Sequence, residues 1–61
     1  MAHYTLRSLD VFDHVQASCE IAVPSEEEAR EIAKGLLSDD EFQTIELWEL
    51  GRLICRMARA N

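Results

Sequence analysis

The stretch that decides the fold is VQASCEIAV, residues 15–23. Its odd positions carry apolar side chains, and its even positions hold Gln16, Ser18, Glu20 and Ala22. A period of two over nine residues is typical of a β-strand that packs one face on a core and turns the other to water. The segment therefore predicts an amphipathic strand.

A second strand is predicted just before it. Residues 4–9 alternate less regularly, with Tyr4, Leu6 and Ser8 on one face. The connection, residues 10–13, begins and ends with aspartate, a residue that is common in turns. The two segments together predict a β-hairpin.

A helix is predicted after Pro24. Ser25 and Glu28 have the spacing of a capping box, in which each side chain bonds to the other residue's backbone N–H. Glu26 and Glu27 place negative charge at the positive end of the helix dipole. The apolar residues that follow recur at positions 29, 32, 33, 36 and 37, which forms one stripe along an amphipathic helix.

Residues 39–58 have two interpretations. Residues 44–48 and 52–57 alternate as two strands would, and Gly51 can adopt the positive φ of a tight turn between them. The alternative is one long helix, with a second capping box at Ser38 and Glu41 and arginines at its C-terminal end. Thr44, Ile45 and Gly51 would lie inside that helix, so strands are favoured.

The predicted fold is therefore α+β, with the order ββαββ in a single domain of residues 1–61. A right-handed crossover through the helix, with the first strand placed between the second and third, gives the sheet order 2-1-3-4. All neighbouring strands are then antiparallel, and the helix covers one face of the four-stranded sheet.

Charge narrows the possible partners. The chain has 61 residues with 6 basic and 12 acidic side chains, a net charge of −6. That excess argues against direct binding of nucleic acid or of an anionic membrane. The longest apolar stretches fall far short of a membrane span, and the first residues lack the pattern of a secretory signal. We expect a cytoplasmic protein with two reduced cysteines.

The uncovered face of the predicted sheet holds the first candidate site. If Ile45 and Leu47 point into the core, Trp48 points to the bare face, and an exposed tryptophan is a frequent interface anchor. The same face is predicted to carry further charged interface residues: Glu46, Arg52 and Arg56.

A second candidate surface is acidic. It comprises helix residues and the loop that follows: Glu26, Glu27, Glu31, Asp39, Asp40 and Glu41. Such a surface can imitate phosphates, although a solvated helix face is the simpler explanation.

The histidines and cysteines are not predicted to form a metal site or a catalytic site. His3 and His14 are not paired with Cys19 or Cys55 at zinc-ligand spacing, and both cysteines are expected to face inward as small apolar residues. No catalytic, cofactor-binding or metal-binding residue is predicted, so we expect no cofactor and no enzymatic activity.

Two resemblances extend this interpretation. The segment IELWELGRL, residues 45–53, and the helix start PSEEEA, residues 24–29, resemble parts of short bacterial proteins of unknown function with a β-hairpin, helix, β-hairpin layout. Asp13 stands where a turn glycine is more usual in that layout. In size and acidity the chain is also similar to phage-encoded inhibitors such as anti-CRISPR proteins.

These observations predict a non-enzymatic interaction module that is a homodimer or binds another protein. The alternative is a phage-type inhibitor whose acidic surface blocks a basic nucleic-acid-binding protein.

Overall fold

The computed structural model describes residues 1–38 and 42–59. It has four strands and one helix: β1 (Ala2–Leu9), β2 (Val15–Val23), α1 (Glu26–Leu37), β3 (Thr44–Glu49) and β4 (Arg52–Ala58). Residues 44–49 and 52–58 are therefore strands and not a continuation of the helix. The predicted ββαββ order is confirmed.

The strands form one antiparallel sheet in the order β2-β1-β3-β4, as predicted. Leu6 of β1 lies opposite Cys19 of β2 on one side and Leu47 of β3 on the other. Leu47 in turn lies opposite Cys55 of β4. This row of four residues crosses the whole sheet on the face that α1 covers.

The core lies between that face and the helix. Leu6, Ile45 and Leu47 are the largest fully buried side chains, and Ala29 and Ala33 of α1 are buried against them. Two small residues on the inner face of the helix let its backbone approach the sheet closely. Burial of each large apolar side chain contributes roughly 1.5–3 kcal/mol to folding.

The helix begins as its sequence requires. Ser25 has an extended backbone, and its hydroxyl accepts a hydrogen bond from the Glu28 N–H at 3.4 Å. Glu26, Glu27 and Glu28 occupy the first turn, where the helix dipole favours acids. No helix among the described residues is long and apolar enough to cross a membrane.

Two irregularities modify the strand alternation. The register shifts between Ser8 and Leu9, so Leu9 lies opposite Val15. It shifts again between Leu47 and Trp48, so Leu53 lies opposite Trp48. Such shifts arise from β-bulges, in which one extra residue bends the strand and changes the direction of its side chains.

One expectation about the core is wrong. Cys19 has the parity of an inward-facing residue, yet it is exposed, and Cys55 is only half-buried. The helix packs mostly over β3, and it leaves the edge strand β2 largely uncovered from Val15 to Glu20. Both thiols are free.

A candidate protein–protein interface

Trp48 lies on the uncovered sheet face because of the alternation of β3. Ile45 and Leu47 are fully buried beneath the helix, so Glu46 and Trp48 point the other way. The register places Trp48 between Thr5 of β1 and Leu53 of β4. Trp48 is half-buried, since neighbouring side chains cover part of its ring.

Two polar groups hold the indole. The guanidinium of Arg7 lies over the ring, with its central carbon 4.7 Å from the ring centroid. The indole Nε1–H donates a hydrogen bond to Oε1 of Glu46 at 3.1 Å. A cation over an aromatic face contributes about 0.5–1 kcal/mol at an exposed site. Trp48 is therefore fixed in orientation by its own chain.

An ion-pair relay continues from Glu46 to the β1–β2 connection. Nη1 of Arg56 lies 3.9 Å from Oε2 of Glu46, and Nη2 of Arg56 donates to Oδ1 of Asp13 at 2.7 Å. Asp13 has φ 62°, a conformation that aspartate tolerates better than most residues and that places its carboxylate beside Arg56. The connection between β1 and β2 is thus tied to β4.

The structure brings together three of the four predicted interface residues: Glu46, Trp48 and Arg56. Arg52 lies opposite Glu49, and the bulge in β4 places Leu53 on the face where Arg52 was expected. Arg7 and Asp13 belong to the same cluster but were missed. Arg7 has the parity of this face, but only the β1–β3 register shows that it lies opposite Glu46 and diagonal to Trp48.

The predicted acidic surface is partly neutralised. Oε2 of Glu26 lies 2.9 Å from Nη2 of Arg30, and Oε1 of Glu31 lies 3.6 Å from Nζ of Lys34. Pairs of this spacing stabilise a helix by about 0.2–0.5 kcal/mol. Glu27 is exposed on the same helix. Asp39, Asp40 and Glu41 lie outside the described residues.

Tyr4 lies on the sheet face that α1 covers, opposite the face that carries Trp48. Burial raises the pKa of the Tyr4 hydroxyl, and the negative charges of Glu49 and Glu26 raise it further. Within residues 1–38 and 42–59 there is no group of three or more His, Cys, Asp and Glu side chains that could hold a metal ion. The described part of the chain also contains no pocket.

The outer edge of β2 is the second feature of the surface. β2 has β1 as its one neighbour in the described sheet, so one edge of its backbone faces outward. Residues 15–20 are exposed, and Glu20 is the strand's one charged side chain. Edge strands in natural proteins are usually blunted by lysine, proline or several charges. β2 is nine residues long and has none of these.

The other edge strand, β4, is better protected. It carries two arginines, Arg52 and Arg56, and its bulge lies near the middle of the strand, at Ile54, whereas the bulge of β2 lies near its start, at Gln16. The ion pair between Arg56 and Asp13 also holds the β1–β2 connection against β4 on the uncovered face. The two edges therefore differ in how readily they can accept another strand.

Comparisons of this chain with models of protein families, with curated proteins and with solved structures found no match. The β-hairpin, helix, β-hairpin layout is present all the same.

Proposed function

We propose that the chain is a non-enzymatic interaction module that forms a homodimer through the outer edge of β2. The observation that carries the proposal is this long edge strand with a single charge, exposed from Val15 to Glu20. Its outward N–H and C=O groups offer a ready template for another strand.

A second copy of the chain is the occupant that this edge fits best. An antiparallel pair of identical strands is self-complementary about a two-fold axis, the commonest symmetry of soluble oligomers. A chain of 61 residues buries only about 60% of its unfolded surface, so a subunit contact would add stability that the small core cannot supply. We place this module in a bacterial cytosol, where its two free thiols would stay reduced.

The contacts on the uncovered face favour dimerisation through the outer edge of β2 over dimerisation through Trp48. The indole is already held by Arg7 and Glu46, and Arg56 is already engaged by Asp13. A partner on this face would have to displace or extend those contacts. The cluster of Glu46, Trp48 and Arg56 is proposed as the surface on which the module receives another protein, and Arg52, opposite Glu49, lies outside it.

Sedimentation of a lysine variant in each edge strand tests the dimer. Cys19→Lys puts a charge in the middle of β2, where paired subunits would bring two cations together. We expect wild type to sediment as a dimer at micromolar concentration and Cys19→Lys as a monomer with an unchanged circular dichroism spectrum. Leu53→Lys, an exposed position of β4, is the matched control and should remain dimeric.

Three results would contradict the proposal. Wild type would sediment as a monomer, Leu53→Lys would dissociate while Cys19→Lys does not, or Trp48→Ala alone would abolish the dimer. The last two would move the contact to β4 or to the uncovered face.

The inhibitor function is the weaker alternative. Glu26, Glu27 and Glu31 are exposed on the helix, as such a function needs, but Arg30 and Lys34 offset two of them. Binding to a basic protein through these acids would weaken steeply with salt.

A further inference from the structure

If the dimer forms through β2, the sequence of this strand also limits where the two-fold axis can lie. We infer that two β2 strands pair antiparallel about an axis at Cys19, so that the Cys19 residues of the two subunits face each other. This inference rests on the proposed dimer and adds its register.

Geometry limits the choice of axis. Paired residues in an antiparallel sheet share a face, so residue numbers that pair across the two-fold axis must have an even sum. The axis therefore passes between two copies of one residue. Regular pairing of β2 with β1 runs from Ala17 to Val23, beyond the bulge near Gln16. The candidates for the axis are thus the residues around the middle of the strand.

Charge and hydrogen bonding eliminate the neighbouring registers. An axis at Glu20 would set two carboxylates directly opposite each other, which is destabilising. An axis at Ser18 would pair Glu20 with Gln16, a residue at the bulge whose side-chain amide already donates to Oδ2 of Asp10 at 2.9 Å. An axis at Ile21 would set Pro24 of the partner subunit beside Ser18, and proline has no N–H to donate.

An axis at Cys19 meets none of these obstacles. Glu20 then faces Ser18 of the partner subunit, whose hydroxyl can donate to a carboxylate. Ala17, exposed in the single chain, faces Ile21 of the partner subunit, so a small side chain meets a large one. Residues 17–21, which pair with one another across this axis, all lie in the regular part of β2.

The register predicts the shape of the dimer. A two-fold axis perpendicular to the sheet joins two four-stranded sheets into one of eight strands. Both copies of α1 then lie on the same side, and the two Arg7–Trp48 clusters lie together on the other. The dimer would present a doubled version of the uncovered face, which increases the avidity of any partner that binds both halves.

Each edge strand carries a cysteine at its middle residue, Cys19 in β2 and Cys55 in β4. Residues that face each other across antiparallel strands have Cα atoms about 4.5–5.5 Å apart, within the range of about 4.4–6.8 Å that a disulfide spans. Oxidised glutathione can therefore report the seam by thiol–disulfide exchange. Two Cys19 thiols lose two protons and two electrons to form one S–S bond, and the glutathione disulfide is reduced to two thiols.

The test uses the full chain and single-cysteine variants. Cys55→Ser keeps only Cys19 and should convert to a covalent dimer on non-reducing electrophoresis. Cys19→Ser keeps only Cys55 and should stay monomeric there, while it sediments as a dimer. A third variant, Cys19→Ser/Cys55→Ser/Ser18→Cys, should link at least about tenfold more slowly, because residues diagonal across the axis lie about 7–8 Å apart.

The outcomes separate the register from the dimer itself. A reduced wild type that is monomeric overturns the proposed function. A reduced dimer in which Cys55→Ser does not cross-link, or in which the Ser18→Cys variant links as fast, overturns the axis at Cys19. Cross-linking of Cys19→Ser would place the seam at β4, and cross-linking of wild type alone would indicate pairing of β2 with β4.

Discussion

At the scale of single residues, Leu50 adopts a backbone conformation that is unfavourable for leucine. It has φ 52° in the β3–β4 turn and is 97% exposed, and Gly51 follows with φ 75°. Two consecutive residues with positive φ are typical of a type I′ hairpin turn, for which Asn-Gly is the preferred sequence. Leucine bears a steric cost there that no burial offsets.

Leu50→Asn is therefore expected to stabilise the protein. The left-handed conformation costs an L-residue roughly 1–2 kcal/mol, and asparagine relieves part of this cost. We expect the free energy of unfolding to rise by about 1 kcal/mol, which would raise Tm by about 4–8 °C in thermal denaturation.

Gly51→Ala is the matched control. A Cβ at Gly51 would meet nothing within 4 Å, so the substitution changes only the conformational preference of the backbone. It should lower Tm. A lower Tm for Leu50→Asn would show that the leucine side chain stabilises the hairpin despite its exposure.

At the scale of elements, the β1–β2 connection is built around Asp10. Its Oδ1 accepts from the backbone N–H groups of Phe12 and His14 at 2.8 and 2.9 Å, and its Oδ2 accepts from Gln16. Asp13 ties the other end of the connection to β4. These polar contacts hold the loop in place of apolar packing, since Phe12 is 75% exposed.

This loop should make stability depend on acid. The backbone N–H of His14, with that of Phe12 and the amide of Gln16, lowers the pKa of Asp10 below its ordinary value of 3.8. A lowered folded-state pKa gives stability that is fully present above the unfolded pKa and is lost as the pH falls through the folded one.

Asp10→Asn should consequently be less stable than wild type at neutral pH, and the difference should shrink as the pH falls below about 3.8. Urea unfolding of both proteins between pH 7 and pH 2 measures this, since only the wild type loses the contribution of the carboxylate. A difference that stays constant over the whole range would show that the loop does not depend on the charge of Asp10.

At the scale of the whole molecule, the layout leaves one edge of the sheet protected and the other open. The helix covers β3 more than β2, and both arginines of the sheet edges lie in β4. The chain as a whole has a net charge of −6. In the proposed dimer, two copies would therefore repel each other at long range, although their β2 strands pair at short range.

Salt should accordingly strengthen the proposed dimer. The seam contains Glu20 and no cation, so association gains no ion pair that salt could weaken. The Debye length falls from about 10 Å at 0.1 M to about 3 Å at 1 M, which screens the repulsion of two acidic subunits. Sedimentation equilibrium over this range should show a lower Kd at higher ionic strength.

Dissociation at high salt would point to a different contact. The relay of Arg56, Glu46 and Asp13 on the uncovered face is one described surface that carries both charges. A seam built on it would weaken as salt rises.

Much of this fold could be predicted from local patterns. Alternation in residues 15–23 predicted β2, and the capping residue Ser25 predicted the start of α1, because both signals depend only on neighbours along the chain. The sheet order also followed, since connection lengths and crossover handedness leave few topologies for five elements. The direction of Trp48 followed from the burial of Ile45 and Leu47.

The tertiary structure decided what lies beside each predicted position. Bulges moved Leu53 into the place expected for Arg52, and the off-centre helix left Cys19 exposed, because bulge positions and helix placement depend on packing among distant residues. The pairing of Arg7 with Trp48 and of Asp13 with Arg56 likewise needs the register of strands far apart in sequence. Sequence by itself determined the elements and their order, whereas only the folded chain determined which edge and which face are open.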